Sequence, residues 1–296
     1  MKIGLTGATG FVGRHFLAVA RNAGHDVIGY SRTPQPRAGF VEMRAWHPVR
    51  EADFSGLDAI VHLAGENLLG VWTKKKRAAI RDSRVNDTLA MIARVRELAG
   101  PPRVLVSAGG SAYYGDAGER ELTESSPPGG GFISEVARAW DEAALSASGL
   151  TRVVTLRTGL VLGRDGGPAK VLGRVFRLGL GGRLGNGRQW MPWIHVTDLA
   201  RLFLHAVECE SLCGPVNAVA PGAVRNADFT RAIARAVHRP AFIPAPSFML
   251  RLLPGGMSDL FLQSQRAVPA AARASGFTWL FPEITAATAD AFGGTE

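Results

Sequence analysis

Three glycines near the start of the chain, Gly7, Gly10 and Gly13, have the spacing of a diphosphate-binding turn. They lie between a strand-like run and a helix-like run. There the first forms the tight turn, the second admits a phosphate close to the backbone, and the third lets helix and strand pack closely. The free N–H groups at a helix N-terminus attract the anion. This pattern predicts a dinucleotide site, and the alternative is a plain tight turn. The predicted contacts are Gly7, Thr9, Gly10, Phe11, Val12 and Gly13.

The end of the second predicted strand distinguishes NADP from NAD. An NAD site usually has an acidic residue there for the ribose 2′-hydroxyl, but this chain has Ser31 and Arg32, and the nearest acid, Asp26, begins the strand. Because a guanidinium matches the geometry of a phosphate, we expect Ser31 and Arg32 to bind the 2′-phosphate of NADP(H). Arg84 is a second candidate for that phosphate. The alternatives are a solvated arginine after a strand and, for Arg84, a polar helix residue.

The elements that would position these residues alternate between strands and helices. Strand-like runs lie at 2–6, 26–30, 40–45, 58–63, 103–107 and 152–157, and helical patterns lie at 11–23, 73–99, 134–148, 197–208 and 226–237. Such alternation indicates βαβ units and a parallel sheet. We therefore predict an α/β fold with a Rossmann-type doubly wound parallel sheet. The helix over 73–99 is expected to bury Val85, Leu89 and Ile92.

The pattern changes after Thr158, where the chain becomes rich in glycine. We divide the chain into an NADP-binding Rossmann domain, residues 1–158, and a smaller C-terminal α/β domain, residues 159–296. Some segments of the second part, such as 216–219, are expected to return to the Rossmann sheet.

The glycine-rich stretch 179–193 is the predicted region of substrate contact. Glycines give it mobility, Arg183 and Arg188 can bind an anionic group, and Trp190 and Trp193 can stack on a ring. An ordinary irregular loop is the alternative for the same stretch.

These motifs together resemble the extended short-chain dehydrogenase/reductase superfamily, and more narrowly its atypical epimerase-family branch with a small C-terminal domain. The segments that carry the resemblance are Thr6–Gly13, Asp58–Gly65, Leu63–Asn67, Ser111–Asp116, Phe176–Gly182, Gly187–His195, His195–Asp198 and Gln265–Pro269. The resemblance implies NADP(H) bound across the first domain, with Leu63 and Ala64 lining the cofactor and Arg84 assisting. It places Trp46 near the adenine, where stacking on the base and a place in the core are both open.

The usual proton-transfer pair of that superfamily, Tyr-x-x-x-Lys, is absent from this chain. In the superfamily the lysine lowers the pKa of the tyrosine so that it can exchange a proton. None of the tyrosines Tyr30, Tyr113 and Tyr114 is followed four residues later by lysine, and the aligned place holds Ser134 and Arg138. An arginine supplies positive charge but does not lose its proton at working pH.

The remaining catalytic candidates are Ser111, Tyr113 and Tyr114, which follow the strand-like run at 103–107. Ser111, or Ser107 before it, can donate a hydrogen bond to a carbonyl, and either tyrosine can act as a displaced acid. A phenol with an ordinary pKa of about 10 is a slow base. Packing of both tyrosines beneath the cofactor is the alternative.

No metal site is predicted, because the seven histidines show no paired ligand spacing. His195 and Asp198 lie near a predicted helix start, where a capping or structural role is the simpler interpretation.

Composition narrows the partners and the location. The formal net charge is +9, but zinc-finger spacing and a basic stripe interleaved with aromatic residues are both missing, so we expect no nucleic acid. We also expect no membrane partner, because no apolar run reaches the roughly 18 residues of a span. The chain shows no signal peptide, and its two cysteines, Cys209 and Cys213, suit a reducing compartment, which predicts a cytoplasmic protein. The expected partner is a small-molecule substrate, and a homodimer is compatible with the sequence.

Two functions follow from these residues. The first is an NADP(H)-binding atypical reductase or epimerase that acts on a carbonyl or sugar-nucleotide-like substrate. The second is a non-catalytic NADPH-binding sensor or scaffold. The missing tyrosine–lysine pair favours the second, whereas the intact segment from Ser111 to Gly115 favours the first.

Overall fold

The computed structural model describes residues 1–293, which contain thirteen strands and eleven α-helices. The strands are β1 (Lys2–Thr6), β2 (Asp26–Ser31), β3 (Glu42–Ala45), β4 (Ala59–His62), β5 (Val104–Gly110), β6 (Glu121–Leu122), β7 (Arg152–Thr158), β8 (Leu160–Leu162), β9 (Trp190–Met191), β10 (Trp193–His195), β11 (Gly214–Ala218), β12 (Val224–Arg225) and β13 (Arg266–Ala267). The helices are α1 (Phe11–Asn22), α2 (Lys74–Asp82), α3 (Asn86–Arg96), α4 (Phe132–Leu145), α5 (Gly167–Arg177), α6 (Val196–Glu208), α7 (Asn226–Ala236), α8 (Ser247–Arg251), α9 (Asp259–Leu262), α10 (Ala270–Ala274) and α11 (Ile284–Phe292).

Seven strands form one parallel sheet in the order β11-β7-β5-β4-β1-β2-β3. From β1 the chain adds β2 and β3 on one side, and then crosses to add β4, β5, β7 and β11 on the other. In such a sheet, ligands bind beyond the carboxyl ends of the strands where the order reverses, which here lies between β1 and β4. The predicted Rossmann-type doubly wound sheet is confirmed.

Helices cover both faces of this sheet. On one face Phe16 of α1 and Phe203 of α6 pack edge to face, with ring centroids 6.5 Å apart. On the other face lie Met91 and Ile92 of α3 and Ala144 of α4. Because both faces are covered, the central strands are continuous buried runs rather than alternating ones, and all four residues of β4 are buried.

The single long helix predicted over 73–99 is wrong, because Ser83, Arg84 and Val85 separate α2 from α3. The break turns two of these residues toward the loop after β4. The amide of Glu66 donates to Oγ of Ser83 at 2.9 Å, and Nη1 of Arg84 donates to the carbonyl of Glu66 at 3.0 Å. The interruption therefore fastens the loop that follows β4.

The apolar face predicted for that helix is wrong at Leu89, whose side chain is 45 % exposed. Because of the break, the buried side of α3 does not continue that of α2. It consists of Thr88, Met91, Ile92 and Val95.

The second half of the chain contributes to the same sheet. The segment predicted to return to it forms β11, which pairs with β7 so that Val216 lies opposite Leu156. The glycine-rich composition after Thr158 conceals β8, α5 and β9, and α5 begins with Pro168 in its first turn, a position where proline is favoured.

A smaller apolar cluster lies under the C-terminal helices. Phe176 of α5, Phe229 of α7 and Phe292 of α11 pack together in it. Among residues 1–293, no helix has both the length and the apolar composition needed to cross a bilayer.

Candidate dinucleotide site and adjoining cleft

The turn between β1 and α1 has no room for side chains at two of its glycines. Gly7 has a φ of 66°, and a Cβ there would lie 2.8 Å from the carbonyl oxygen of Leu63. A Cβ at Gly13 would lie 2.4 Å from the carbonyl oxygen of Gly7. Between them, the Gly10 amide donates to that same oxygen at 2.9 Å. The predicted tight turn and the close packing of helix and strand are therefore both present.

The N-terminus of α1 suits an anion. Gly10 precedes the helix without a side-chain cap, and the first turn contains no acidic residue. The first amide that bonds back into the helix is that of Arg14, which donates to the carbonyl of Gly10 at 3.1 Å. The amides of Phe11, Val12 and Gly13 are thus the free donors that a diphosphate needs.

The side chain of Phe11 turns away from this anion position. Its ring lies against Gly163, Gly166 and Gly167, where an added Cβ would approach it to between 2.5 and 2.8 Å. We call the turn from Gly7 to Gly13 the glycine cradle. Phe11 therefore contributes its backbone to the glycine cradle and its ring to the contact with the second half of the chain.

A chain of buried hydrogen bonds holds the residues that follow β4. The hydroxyl of Thr88 donates to the carbonyl of Arg84, so it accepts from Nε2 of His62 at 3.0 Å. Nδ1 of His62 then accepts from Oγ1 of Thr6 at 2.8 Å. That oxygen in turn accepts from the amides of Leu63 and Ala64, both at 3.1 Å. Burial lowers the pKa of His62 to about 4, so the ring stays neutral in this chain.

Trp46 lies in the core. It packs against Phe54 and His62, with ring centroids 6.4 and 5.5 Å away, and it is 4 % exposed. Of the two roles that the sequence leaves open, the structure shows the core one.

Ser31 and Arg32 lie where the 2′-phosphate contact was predicted. Tyr30 pairs with Thr6 in register, so the next two residues stand at the carboxyl edge beside the glycine turn. Oγ of Ser31 accepts from the amide of Thr33 at 3.3 Å, and Arg32 is exposed. The edge thus presents a hydroxyl and a solvent-accessible guanidinium.

Arg84 lies on the other side of β1 from that pair. Its guanidinium is fixed by the carbonyls of Glu66 and Ile80, at 3.0 and 3.2 Å, and lies 5.1 Å from the ring of Trp140. Burial lowers the pKa of Arg84 to about 10. This placement supports a role beside Gly65 in the loop after β4 and does not support a shared phosphate with Arg32.

The turn after β5 holds the three catalytic candidates. Ser111 and Tyr114 are buried, and Tyr113 is half-buried. The hydroxyl of Tyr114 donates to Oδ1 of Asn217 at 2.6 Å and accepts from Nη1 of Arg157 at 3.0 Å, and burial raises the pKa of Tyr114. Tyr113 presents its ring face to the same guanidinium, with Cζ 3.5 Å from the ring centroid. The Tyr114 hydroxyl is therefore engaged in a buried network.

The centre of that network is a buried ion pair. Nε of Arg157 lies 2.7 Å from Oδ2 of Asp141, and both side chains are almost fully buried. Nη1 of Arg157 also donates to the carbonyl of Glu124 at 3.0 Å. Burial is the largest single influence on the pKa of Arg157 and lowers it, but Asp141 and Tyr114 together outweigh burial and raise the pKa. The pair joins α4 to β7 below the catalytic candidates.

The first turns of α4 contain Ser134 and Arg138, the residues predicted to stand at the place of the tyrosine–lysine pair. Ser134 is fully buried, and Arg138 is exposed, with Nε 3.7 Å from Oε1 of Glu142.

A cleft of about 380 Å³ adjoins the carboxyl edge. Its walls contain Asp116, Gly118, Glu119, Gly185, Asn186, Arg188, Gln189, Ser247, Arg251, Leu262 and Ser264. Glu119 is already paired, because Nη2 of Arg225 lies 2.8 Å away and Nε1 of Trp190 donates at 2.9 Å. These hydrogen bonds hold the pKa of Glu119 below its ordinary value. Arg188 and Arg251 remain as cations on the cleft wall, beside amide and hydroxyl groups.

The stretch predicted to contact substrate divides between cleft, surface and core. Arg188 lines the cleft, and Arg183 is exposed. Trp190 is half-buried beside the cleft. Trp193 is 1 % exposed, and its Nε1 donates to the carbonyl of Gly222 at 2.9 Å, so the stacking predicted for Trp193 is wrong.

His195 has the structural role that was the simpler interpretation. Its Nδ1 accepts from the amide of Thr197 at 3.3 Å and so caps α6. Its Nε2 lies 3.1 Å from Oδ2 of Asp290 in the C-terminal helix. Asp198 is fully buried.

Two models of known protein families match this chain. A model described as the NAD dependent epimerase/dehydratase family matches residues 3–216. The chain belongs to this family. A second model, described as a domain of unknown function, DUF1731, matches residues 245–291, so Ser247 and Arg251 of the cleft lie in that second region.

Relatives of this epimerase-family chain match it over nearly their whole length. The mouse epimerase family protein SDR39U1 is 37 % identical over 98 % of this chain and 99 % of its own. The Bacillus subtilis (strain 168) epimerase family protein YfhF is 35 % identical over 96 % of this chain and 95 % of its own. The crystal structure of human SDR39U1 (isoform 2) with NADPH has a TM-score of 0.92 at 34 % identity and covers 99 % of both chains. The chain therefore has the NAD(P)-binding fold of the epimerase family.

Two features of the site escaped the sequence reasoning. One is the Arg157–Asp141 pair, for which an arginine near the end of the predicted buried strand is a signal, since a buried arginine requires a partner. The other is the contribution of Ser247 and Arg251 to the cleft. Their spacing of four residues places them on one helix face, but the proline-rich run before them obscures the helix.

Proposed function

We propose that this protein binds NADP(H) at the carboxyl edge of the sheet and acts as an atypical reductase or epimerase on a carbonyl or sugar-nucleotide-like substrate. The observation that carries the proposal is the glycine cradle. Gly7 and Gly13 leave no room for a Cβ, and α1 begins with uncapped amides and no acidic residue. Ser31 and Arg32 favour the form with a 2′-phosphate. The human relative crystallised with NADPH supports the same cofactor here.

The two parts of the chain divide the task in this proposal. Residues 1–158 hold the diphosphate and the adenosine end, and residues 159–296 supply most of the donors in the cleft, including Arg188 and Arg251. When bound, NADP(H) supplies a hydride donor or acceptor. The guanidinium, amide and hydroxyl groups of the cleft fix the orientation of a polar, anionic substrate, which is how binding energy is converted into rate.

Proton transfer in this proposal is carried out by the turn after β5. The hydroxyls of Ser111 and Tyr113 donate to the substrate oxygen, because the Tyr114 hydroxyl is held by Asn217 and Arg157. A positioned general acid contributes about 10²–10⁴-fold to a rate. Tyr113→Phe is therefore expected to lose at least about a hundredfold in turnover while NADPH affinity is retained.

The assay supplies NADPH to a panel of carbonyl compounds and follows the absorbance of the reduced nicotinamide. Sugar nucleotides are incubated with NADP⁺ and the products are separated, because epimerisation restores the cofactor and leaves its absorbance unchanged. Tyr114→Phe is the matched variant, and it is expected to lower the melting temperature more than the turnover. Wild-type turnover in both variants would remove tyrosine from the mechanism.

A non-catalytic NADPH sensor or scaffold is the second candidate. The observation that favours it is the first part of α4, where Ser134 is buried and Arg138 is exposed in place of the usual tyrosine and lysine. Tight NADPH binding with neither oxidation of NADPH nor conversion of any sugar nucleotide across the whole panel would support the sensor and contradict the enzyme.

We also propose a cytoplasmic protein whose partners are a small-molecule substrate and a second copy of itself. Cys209 and Cys213 are both free, which suits a reducing compartment.

A further inference from the structure

One surface of the C-terminal half exposes large apolar side chains. Leu178 after α5 is 74 % exposed, Phe242 is 75 % exposed, and Leu252 after α8 is 79 % exposed. The other exposed members are Val171, Val175, Leu180, Ile243, Phe248 and Met249. We call these nine residues the apolar face.

Backbone hydrogen bonds join the two segments that carry the apolar face. The amide of Ala245 donates to the carbonyl of Arg183 at 2.9 Å, and the amide of Gly185 donates to the carbonyl of Ala245 at 2.8 Å. The first of these segments leads directly from α5, and the second leads directly into α8 at Ser247. The two helices therefore flank one shared surface.

The same two segments carry the net charge of the molecule. Residues 166–197 contain five lysines and arginines, residues 229–258 contain four, and neither range contains an acidic residue. These nine cations equal the formal net charge of +9, so the remainder of the chain is electrically balanced. All nine cations are exposed, namely Lys170, Arg174, Arg177, Arg183, Arg188, Arg231, Arg235, Arg239 and Arg251.

We propose that the apolar face docks on the surface of a bilayer that contains anionic phospholipids. Exposed leucine and phenylalanine side chains enter the boundary between headgroups and acyl chains, while flanking lysine and arginine side chains meet the anionic headgroups. The sequence expectation of no membrane partner considered only spanning segments, and a peripheral contact does not require one.

The charge of the face argues against a second copy of the chain as its occupant. A two-fold interface brings the same patch of both copies together, and here it would place arginines against arginines, which is unfavourable. An anionic surface has the complementary charge. Ser247 and Arg251 of α8 line the cleft next to Phe248 and Leu252, so docking would hold the mouth of the cleft at the lipid surface.

Vesicle cosedimentation of the full chain tests this proposal. The wild type is expected to sediment with vesicles of equimolar phosphatidylcholine and phosphatidylglycerol and to dissociate from them as salt is raised. With vesicles made only of phosphatidylcholine, the protein is expected to stay in the supernatant. Phe248→Ser with Leu252→Ser removes the apolar insertion and should abolish binding. Arg174→Gln with Arg239→Gln should lower the partition coefficient about thirtyfold, because each cation near an anionic surface contributes about fivefold.

Val41→Ser is the matched control, since Val41 is 65 % exposed on the first half of the chain, and it should bind as the wild type does. Melting temperatures show that each variant folds, and they do not depend on the proposed cofactor. The proposal is overturned if the wild type does not prefer the anionic vesicles or if Phe248→Ser with Leu252→Ser binds them normally. It is also overturned if that pair of substitutions converts a dimer to a monomer in light scattering, because the face would then be a contact between copies.

Discussion

At Gly7 and Gly13 the residue type follows from the backbone around it. A Cβ at either position would meet a carbonyl oxygen at 2.8 or 2.4 Å, and the spacing of the glycines reports this local geometry directly. Tyr114 is different, because its hydroxyl contacts Asn217 and Arg157, which are 103 and 43 positions away. No local pattern contains such contacts, so the sequence identifies the glycine turn but not the engagement of that hydroxyl.

Arg32→Ala tests the assignment of the 2′-phosphate at the scale of one residue. Removing the guanidinium is expected to weaken NADPH binding by about 1.5–3 kcal/mol, the range for hydrogen bonds to charged groups, and to leave NADH binding unchanged. Calorimetric titration of both dinucleotides measures the difference.

Arg37→Ala is the control for Arg32→Ala. Arg37 is also exposed on the same loop, so its substitution removes the same charge. Equal losses for NADPH and NADH in Arg32→Ala, or a loss in Arg37→Ala as large as in Arg32→Ala, would show that Arg32 does not discriminate between the cofactors.

At the scale of the element, apolar runs separated by helical patterns predict the seven parallel strands, because strand and helix periodicity are local properties. The break between α2 and α3 is not local. It depends on Ser83 and Arg84 meeting Glu66 in a different loop, and only the folded chain brings them together. The same limit applies to α5, where glycines hide a helix that is stabilised by packing Phe176 into the C-terminal cluster.

His62 joins β1, β4 and α3, and its burial predicts a pH dependence of stability. Its pKa is lowered from 6.5 to about 4 in the folded chain. As pH falls below the unfolded value, the unfolded chain binds a proton that the folded chain does not, so the stability present at neutral pH is lost between pH 6.5 and about 4. Between about pH 7 and 5, the free energy of unfolding of the wild type should fall by about 2 kcal/mol more than that of His62→Gln.

Urea denaturation at both pH values measures this difference. His238→Asn is the control, because His238 is exposed and has a φ of 52°, a conformation that asparagine tolerates; it should keep the wild-type pH dependence. If His62→Gln also retains the full dependence, the buried neutral histidine is not its source.

At the scale of the whole molecule, buried polar contacts join segments that are far apart in the chain. Asp198 at the start of α6 accepts from the amides of Leu280 and Phe281, both at 2.8 Å. Asn217 of β11 donates to the carbonyls of Leu122 and Val268, at 3.1 and 2.9 Å. The sequence predicts the two regions but not these contacts, because their partners come from separate stretches of the chain.

Asp198→Ala tests whether these contacts make the molecule unfold as one unit. It leaves two amides without their acceptor, at about 1–3 kcal/mol each, so the free energy of unfolding should fall by about 2–6 kcal/mol with a single transition. Asp228→Ala, which removes an exposed carboxylate paired with Arg231, should change it by less than about 1 kcal/mol. Tryptophan fluorescence and circular dichroism should give the same midpoint. A separate early transition in the wild type would mean that the C-terminal region unfolds independently.

Titration of the purified wild-type chain with NADPH and with NADH tests the central claim, that the backbone amides at the start of α1 hold a dinucleotide and the arginine after β2 favours an additional phosphate. We expect saturable heat of binding with NADPH and weaker binding of NADH. Absence of binding by both dinucleotides would contradict it.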